Sequence, residues 1–354
     1  MLFWSHEQRN RGLRAIDRIY SVREVPAGLH PLPLNPGEPL RFDFDIDAHM
    51  QRQCNAGLII VQEGRVRFER YAEGYCADGR WTSFSVAKSI VATLVGAAIK
   101  DGFIGGVEDR IAGYLPGLAG SAYDDVTIRQ LLTMTSGVEW DETYDDPAAD
   151  VARFWAQTPE PDVDNMTAYM RKLKKAAATG SVWLYNTGET NLLGAALAAA
   201  TGRTLSAYLA EKIWRPLSME RNAAWILAAD GREVGGCCLS VSLRDFARFG
   251  QFILDGARID GDPIVPEGWL RDATTKQADI DKPGHGYGYC WWTNDDGSFD
   301  ARGIFGQGIF IDPATQLVIA SSGNWPHAVE DGTLGPERQQ FYRRVRDLIA
   351  SSLP

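Results

Sequence analysis

Hydrophobic and polar positions change their period several times along the chain. The run AGLIIVQEGRVRFERYAEG holds two β-rich segments flanking Gln62-Glu63-Gly64, which predicts a hairpin. From Ser85 the chain reads SVAKSIVATLVGAAIKDGFI, apolar nearly all round, and a helix of that kind is a buried one. Residues 109 to 235 carry helical patterns at Thr127 to Thr133, Asp150 to Trp155, Met166 to Ala178, Glu189 to Thr201 and Ser206 to Trp214, separated by Gly, Pro and Asp clusters. After Gly235 come a helix, SLRDFARFGQFIL, and short strand-like runs, YGYCWWT, GIFIDP and QLVIASSG. The stretch PERQQFYRRVRDLIASSL then predicts an amphipathic helix with a proline near its start. The first 55 residues mix an amphipathic stretch, Gly12 to Val22, with a Pro-rich arm, Pro31 to Pro39. Strands near both ends with helices between them predict an α/β (α+β) body built from residues 1–108 and 236–354, with a helical region, 109–235, inserted in its middle.

Charge and length remove several classes of function. The 354 residues carry 36 Lys and Arg against 46 Asp and Glu, a net charge of −10, and no basic tract. Such a chain is a poor ligand for phosphate backbones, so no nucleic-acid partner is expected. No apolar run approaches the roughly 20 residues that span a bilayer, so no membrane partner is expected either. The first twenty residues hold no signal-peptide apolar region, which predicts a cytoplasmic protein. The five cysteines, Cys54, Cys76, Cys237, Cys238 and Cys290, fit neither a disulfide framework nor a zinc site and are expected as reduced thiols; adjacent Cys237 and Cys238 could pair only across a strained ring. The histidines show no metal-ligand spacing, no metal or organic cofactor is expected, and no G-x-S-x-G elbow is present.

The richest chemistry lies in Phe84-Ser85-Val86-Ala87-Lys88-Ser89. Ser85 and Lys88, three residues apart at the start of a helix, share one face one turn apart. A serine hydroxyl needs a base beside it, and a lysine shielded from water loses proton affinity and can act as one. The free amides at the helix start suit a developing oxyanion. Taken alone, the same spacing also describes a capping serine followed by a lysine. Tyr185 stands between turn residues and a helix start in TGSVWLYNTG; near a cationic lysine its phenolate is favoured, which would make it a general base. In Ala301-Arg302-Gly303-Ile304, a glycine in a strand marks a place where another group approaches the backbone. The acids Glu139, Asp141, Glu142, Asp145 and Asp146 are expected on a solvated loop, with a cationic substrate end as their alternative use. Trp291 and Trp292 suit either a cleft wall or a core.

These three elements, in this order and at these separations, resemble the serine β-lactamase and penicillin-binding family, whose signature includes S-x-x-K. The resemblance runs over roughly residues 15 to 350. It is greatest to the class C branch, and within that to the 6-aminohexanoate-dimer (nylon-oligomer) hydrolases and related carboxylesterases. It implies a β-lactamase-like antiparallel sheet flanked by helices. It places the nucleophile on Ser85, its lysine on Lys88 and the catalytic tyrosine on Tyr185. It places the oxyanion amides on Ser85 and Ile304, and a substrate-covering tyrosine on Tyr144. Trp292 and Gly303 are the further residues expected at the substrate.

Two departures from the family pattern bear on activity. Thr187 stands where a class C lactamase has Asn, and Ala301 stands where lactamases have the Lys that faces the β-lactam carboxylate. Arg302 is an imperfect replacement for that lysine. The resemblance therefore implies a serine hydrolase that forms an acyl-enzyme on a small-molecule carboxylic ester or linear amide. A β-lactamase or D-amino-acid peptidase is the rival within the class, and a non-catalytic binding protein that kept the fold is the rival outside it. Either a monomer or a homodimer is compatible with the sequence.

Overall fold

The structure, a computed structural model, describes every residue except 32–33, 330–331 and 353–354. Among the described residues the larger sheet has eight strands. Their spatial order is His285–Tyr287, Trp292–Asn294, Phe299–Gly303, Gln307–Asp312, Leu317–Gly323, Asn55–Gln62, Arg65–Tyr71 and Asn35–Pro36. The last strand pairs parallel and all the other neighbours pair antiparallel. The predicted hairpin is present: Glu63 and Gly64, both at positive φ, join its two strands. Two positive-φ residues give the turn whose twist matches the strands.

Alternation within these strands builds two cores. Ile59, Val61, Ile309, Ile311, Val318 and Ala320 face the main core, which includes the helices Val86–Lys100 and Leu243–Leu254. Leu58, Ile60, Phe310, Leu317 and Ile319 face the other way, against Phe341, Tyr342, Val345 and Ile349 of the helix Leu334–Ser352. Gly250 lets the helix Leu243–Leu254 lie close on the sheet, because a Cβ there would sit 2.5 Å from Val318. The fold is thus mixed helices and antiparallel sheet.

A second, four-stranded sheet has the order Val22–Val25, Ala223–Ile226, Leu239–Ser242 and Arg80–Thr82. Its edge strand Arg80–Thr82 runs directly into Ser85. The helix Val86–Lys100 is buried from Val86 through Ala98, as its all-round apolar pattern predicts. Between residues 109 and 222 the described residues form helices, turns and isolated bridges.

One element is shorter than its pattern predicts. The helix expected over Met166 to Ala178 is Asn165–Met170. The residues beyond it run against the loop at Gly137 instead. Glu139 N–H donates to Lys174 O at 2.9 Å and Ala176 N–H donates to Gly137 O at 2.8 Å. At Gly137, φ is +74° and a Cβ would lie 2.3 Å from Ala177 O, so only glycine fits this contact. Tertiary pairing overrides local helical preference here, and it anchors the loop that carries Glu142 and Tyr144. Among the described residues no helix is long and apolar enough to cross a membrane.

Candidate active site

Ser85 sits at the N-cap of the helix Val86–Lys100, at the end of a tight turn. Phe84 before it has φ +43°, a conformation a bulky side chain rarely adopts and one that concentrates at functional sites. The turn is held on both sides: Ser83 N–H donates to Leu239 O at 2.8 Å, and Cys238 N–H donates to Phe84 O at 3.2 Å. The Phe84 ring packs on Phe305, which is also at positive φ, with centroids 5.4 Å apart.

Lys88 is 1 % exposed, and its Nζ lies 2.9 Å from Ser85 Oγ. The same Nζ donates to Thr187 Oγ1 at 2.9 Å and to Gly236 O at 2.6 Å. Burial pushes Lys88 down to about 8, although the nearby Glu142 charge opposes that shift. Donor and acceptor chemistry then decides which partner an uncharged Lys88 accepts from. Gly236 O can only accept, and Thr187 Oγ1 already donates to Glu142. The bond to Ser85 is the one that can reverse, with the amine lone pair accepting the serine proton. The geometry fits a lysine that takes a proton from Ser85.

Tyr185 immediately precedes Asn186, the N-cap of the helix Thr187–Thr201. Its hydroxyl is within hydrogen-bonding reach of Ser85, and Lys88 Nζ lies 5.1 Å from its ring centroid. The expected phenolate is not the resting form. Burial and the negative charge of Glu142 push the Tyr185 phenol well above its usual range, outweighing the hydrogen bond to Ser85. Tyr185 is therefore a buried neutral phenol that can pass a proton in either direction. Trp292 stacks on it with centroids 5.6 Å apart, and Trp183 and Tyr287 complete that aromatic group. Trp291, its neighbour in sequence, is buried against Phe249 and Phe299 instead. One tryptophan of the pair walls the site and the other belongs to the core.

The strand Phe299–Gly303 forms the opposite wall. A Cβ at Gly303 would lie 2.5 Å from Ser83 O, so the strand can lie against the serine turn only with glycine there. Ile304 follows and borders the same cavity as Ser85. Neither the Ser85 N–H nor the Ile304 N–H has an acceptor among the described residues. A pair of free backbone donors beside a nucleophile is the makeup of an oxyanion hole. Ala301 is buried, and the guanidinium of Arg302 is held by Asp300 and lies over the Trp292 ring at 5.0 Å. Arg302 therefore does not stand in for the lysine that Ala301 lacks.

The structure brings Ser85, Lys88, Tyr185, Ile304, Tyr144, Trp292 and Gly303 into one site. It also adds a residue that the sequence reading assigned to a solvated loop. Glu142 is half-buried, and its carboxylate accepts from Thr187 N–H at 3.0 Å, Tyr144 O–H at 2.7 Å, Thr187 Oγ1 and Trp140 Nε1. Lys88, Thr187 and Glu142 thus form one hydrogen-bonded chain. Burial and Glu142 hold Tyr144 as a neutral phenol. The only signal in sequence was the departure at Thr187, since contacts across 45 residues leave no local pattern. A second correction concerns sulfur. Cys237 and Cys238, expected as thiols, are joined by a disulfide, whereas Cys54, Cys76 and Cys290 are free. Among the described residues no group of three or more His, Cys, Asp or Glu side chains is placed to hold a metal ion.

The chain and its fold are similar to several known proteins. The chain is 28% identical to a 6-aminohexanoate-dimer hydrolase from Paenarthrobacter ureafaciens, over 94% of this chain and 91% of that one. Its fold matches a candidate 6-aminohexanoate-dimer hydrolase from Bacillus anthracis, with a TM-score of 0.83 and 22% identity over 94% of this chain and 92% of that one. A D-stereospecific amidohydrolase from Streptomyces shares the fold at a TM-score of 0.59 and 19% identity, over 82% of this chain and 97% of that one. A family model described as beta-lactamase matches residues 45–342. That span takes in both walls of the Ser85 site, and the chain belongs to the beta-lactamase family of hydrolases.

Proposed function

We propose that the protein is a serine hydrolase that cleaves a carboxylic ester or a linear amide through an acyl-enzyme. The observation that carries this reading is the 2.9 Å contact between Ser85 Oγ and a buried Lys88 whose affinity for protons is lowered to about 8. Ser85 Oγ attacks the substrate carbonyl while its proton moves to Lys88 Nζ. The oxyanion is received by the Ser85 and Ile304 amides. Tyr185 gives its phenolic proton to the leaving oxygen or nitrogen and is reprotonated from Lys88. Water then attacks the acyl-enzyme, its proton passing to the same Lys88–Tyr185 pair, and Ser85 regains a proton as the acid leaves. Tyr144 covers the substrate from the Glu142 loop. The similarity to 6-aminohexanoate-dimer hydrolases supports a linear amide of that kind, or a short ester, as the first substrates to try. A β-lactam is disfavoured by Ala301 and by the pairing of Arg302 with Asp300.

The test is steady-state hydrolysis of p-nitrophenyl butyrate by wild type and Ser85→Ala, with intact-mass detection of the acylated chain. Turnover that falls by at least about a hundredfold in the variant supports the reading. Equal turnover by both proteins would overturn it.

A further inference from the structure

The disulfide between Cys237 and Cys238 borders the same cavity as Ser85, and the proposed chemistry makes no use of it. The two residues are neighbours in sequence, so the bond closes a small ring around their shared peptide. The backbone of this segment reaches both Lys88 and the turn that carries Ser85. Gly236 O accepts from Lys88 Nζ at 2.6 Å, and Cys238 N–H donates to Phe84 O at 3.2 Å. Gly236 is seated on the helix Thr187–Thr201: its N–H donates to Asn191 Oδ1 at 2.7 Å, and a Cβ there would lie 2.6 Å from Thr187 O. Cys238 has φ +70°, a left-handed conformation that is unfavourable for a residue with a Cβ and persists where its surroundings impose it. The strand Leu239–Ser242 follows at once and is paired on both sides. If Cys238 leaves positive φ, that strand cannot follow, so the Cys237–Cys238 peptide and Gly236 must swing instead. Cys238 N–H then leaves Phe84 O, and Gly236 O leaves Lys88.

We propose that Cys237 and Cys238 are positioning residues whose disulfide holds Gly236 O on Lys88 and steadies the turn that carries Ser85, so that a small dithiol slows the reaction and a disulfide oxidant restores it. The inference rests on the serine-hydrolase reading above and adds a redox dependence to it. A thiolate of the dithiol attacks one sulfur and forms a mixed disulfide, while the other sulfur leaves and takes a proton. The second thiol of the reagent then displaces the remaining cysteine, which is protonated in turn, and the reagent closes to a cyclic disulfide. Two electrons and two protons pass to the cysteines. Glutathione disulfide runs the exchange backwards, taking the two electrons and two protons as two molecules of glutathione.

The experiment starts from protein purified without reductant. Iodoacetamide applied under denaturing conditions should label Cys54, Cys76 and Cys290 but neither Cys237 nor Cys238. kcat/KM for p-nitrophenyl butyrate is measured across pH before reduction, after dithiothreitol that is then removed anaerobically, and again after glutathione disulfide. Reduction should lower kcat/KM at least about tenfold with an unchanged circular dichroism spectrum, and reoxidation should recover it. Lys88 is faced by Glu142, Cys290 and Tyr185, none of which lies in the 235–238 segment. On the hydrolase reading kcat/KM rises with pH as Lys88 loses its proton. Loss of the Gly236 carbonyl as acceptor favours the neutral amine, so reduction should move that limb to lower pH. General damage to the fold would lower the curve without moving it. Cys237→Ala/Cys238→Ala should match the reduced wild type and ignore dithiothreitol. Cys237→Ala/Cys238→Gly, in which glycine accepts the positive φ without the ring, should be at least about threefold more active than the double alanine variant. Label on Cys237 and Cys238 before reduction, unchanged activity after it, a limb that stays or moves to higher pH, or a glycine variant no better than the alanine one would each overturn the positioning role. If unreduced wild type and Ser85→Ala turned over equally, the hydrolase reading itself would fall and the positioning role with it.

Discussion

Replacing Glu142 with Gln tests the electrostatics of the site more directly than removing the proposed nucleophile. Glu142 and Lys88 are joined through one oxygen, Thr187 Oγ1, and the negative charge raises the affinity of Lys88 for protons against the stronger pull of burial. Two hydrogen-bond legs through a single atom put the charges about 5 Å apart. At that distance, with an effective dielectric of about 20, two unit charges interact by about 3 kcal/mol. Glu142 is half-buried, so water screens part of that figure, and roughly one to two pKa units remain as the expected change.

The sign follows from the role proposed for Lys88. It takes the serine proton only when uncharged, so kcat/KM rises with pH through its pKa, near about 8 in the wild type. Removing the Glu142 charge lowers that pKa, and the rising limb should move to lower pH by roughly one to two units. The assay is kcat/KM for p-nitrophenyl butyrate across pH, read at the isosbestic wavelength of p-nitrophenol. A Gln side chain also loses acceptor sites for Tyr144, Thr187 or Trp140, which can lower the maximal rate. That loss scales the curve without moving its limb, so the two effects separate. A limb that stays near its wild-type position, or moves to higher pH, would refute the proposed coupling.

Two further outcomes follow from packing and burial. Gly303→Ala puts a Cβ 2.5 Å from Ser83 O, which must push the strand off the serine turn and shift the Ile304 amide. Its kcat/KM should fall at least about tenfold, with an unchanged circular dichroism spectrum; near-wild-type activity would show that the close approach does not matter. Glu189 is fully buried and pushed up to about 8 by desolvation, so the folded chain holds a proton that the unfolded chain, near 4.5, releases. Its stabilising contribution is complete below about pH 4.5 and lost as pH rises through about 8, by up to about 1.4 kcal/mol per pH unit. Glu189→Gln should therefore flatten the fall in Tm between pH 5 and 8, and equal slopes for the two proteins would contradict this.

Much of the fold and site was legible because it depends on local patterns. The hairpin at Gln62 to Arg65 follows from turn chemistry between β-rich runs, and the buried helix after Ser85 from its unbroken apolar surface. The juxtaposition of Ser85 and Lys88 follows from helical geometry alone. What was not legible depends on contacts distant in sequence. The tail of the helix expected through Ala178 unwinds because Gly137 accepts its amides. The charge state of Tyr185 could not be read from a neighbouring lysine, because burial and a carboxylate from another loop outweigh it.

Thr187 shows how a departure from a family pattern can carry structural meaning. In the sequence it is a missing asparagine, and it weakens the match to a lactamase. In the fold its hydroxyl accepts from Lys88 and donates to Glu142 through one oxygen. An asparagine would have to use its oxygen for one partner and its nitrogen for the other, setting the lysine and the carboxylate further apart. The nitrogen is a donor only, so an ionised Glu142 would have to take that side and Lys88 the oxygen, fixing the amide in one orientation. The smaller hydroxyl brings the carboxylate closer and leaves room for the backbone N–H of Thr187 to bind it as well. Thr187 and Glu142 therefore make sense as a pair. The substitution that separates this chain from the lactamases also couples the charge of the Glu142 loop to the lysine beside Ser85.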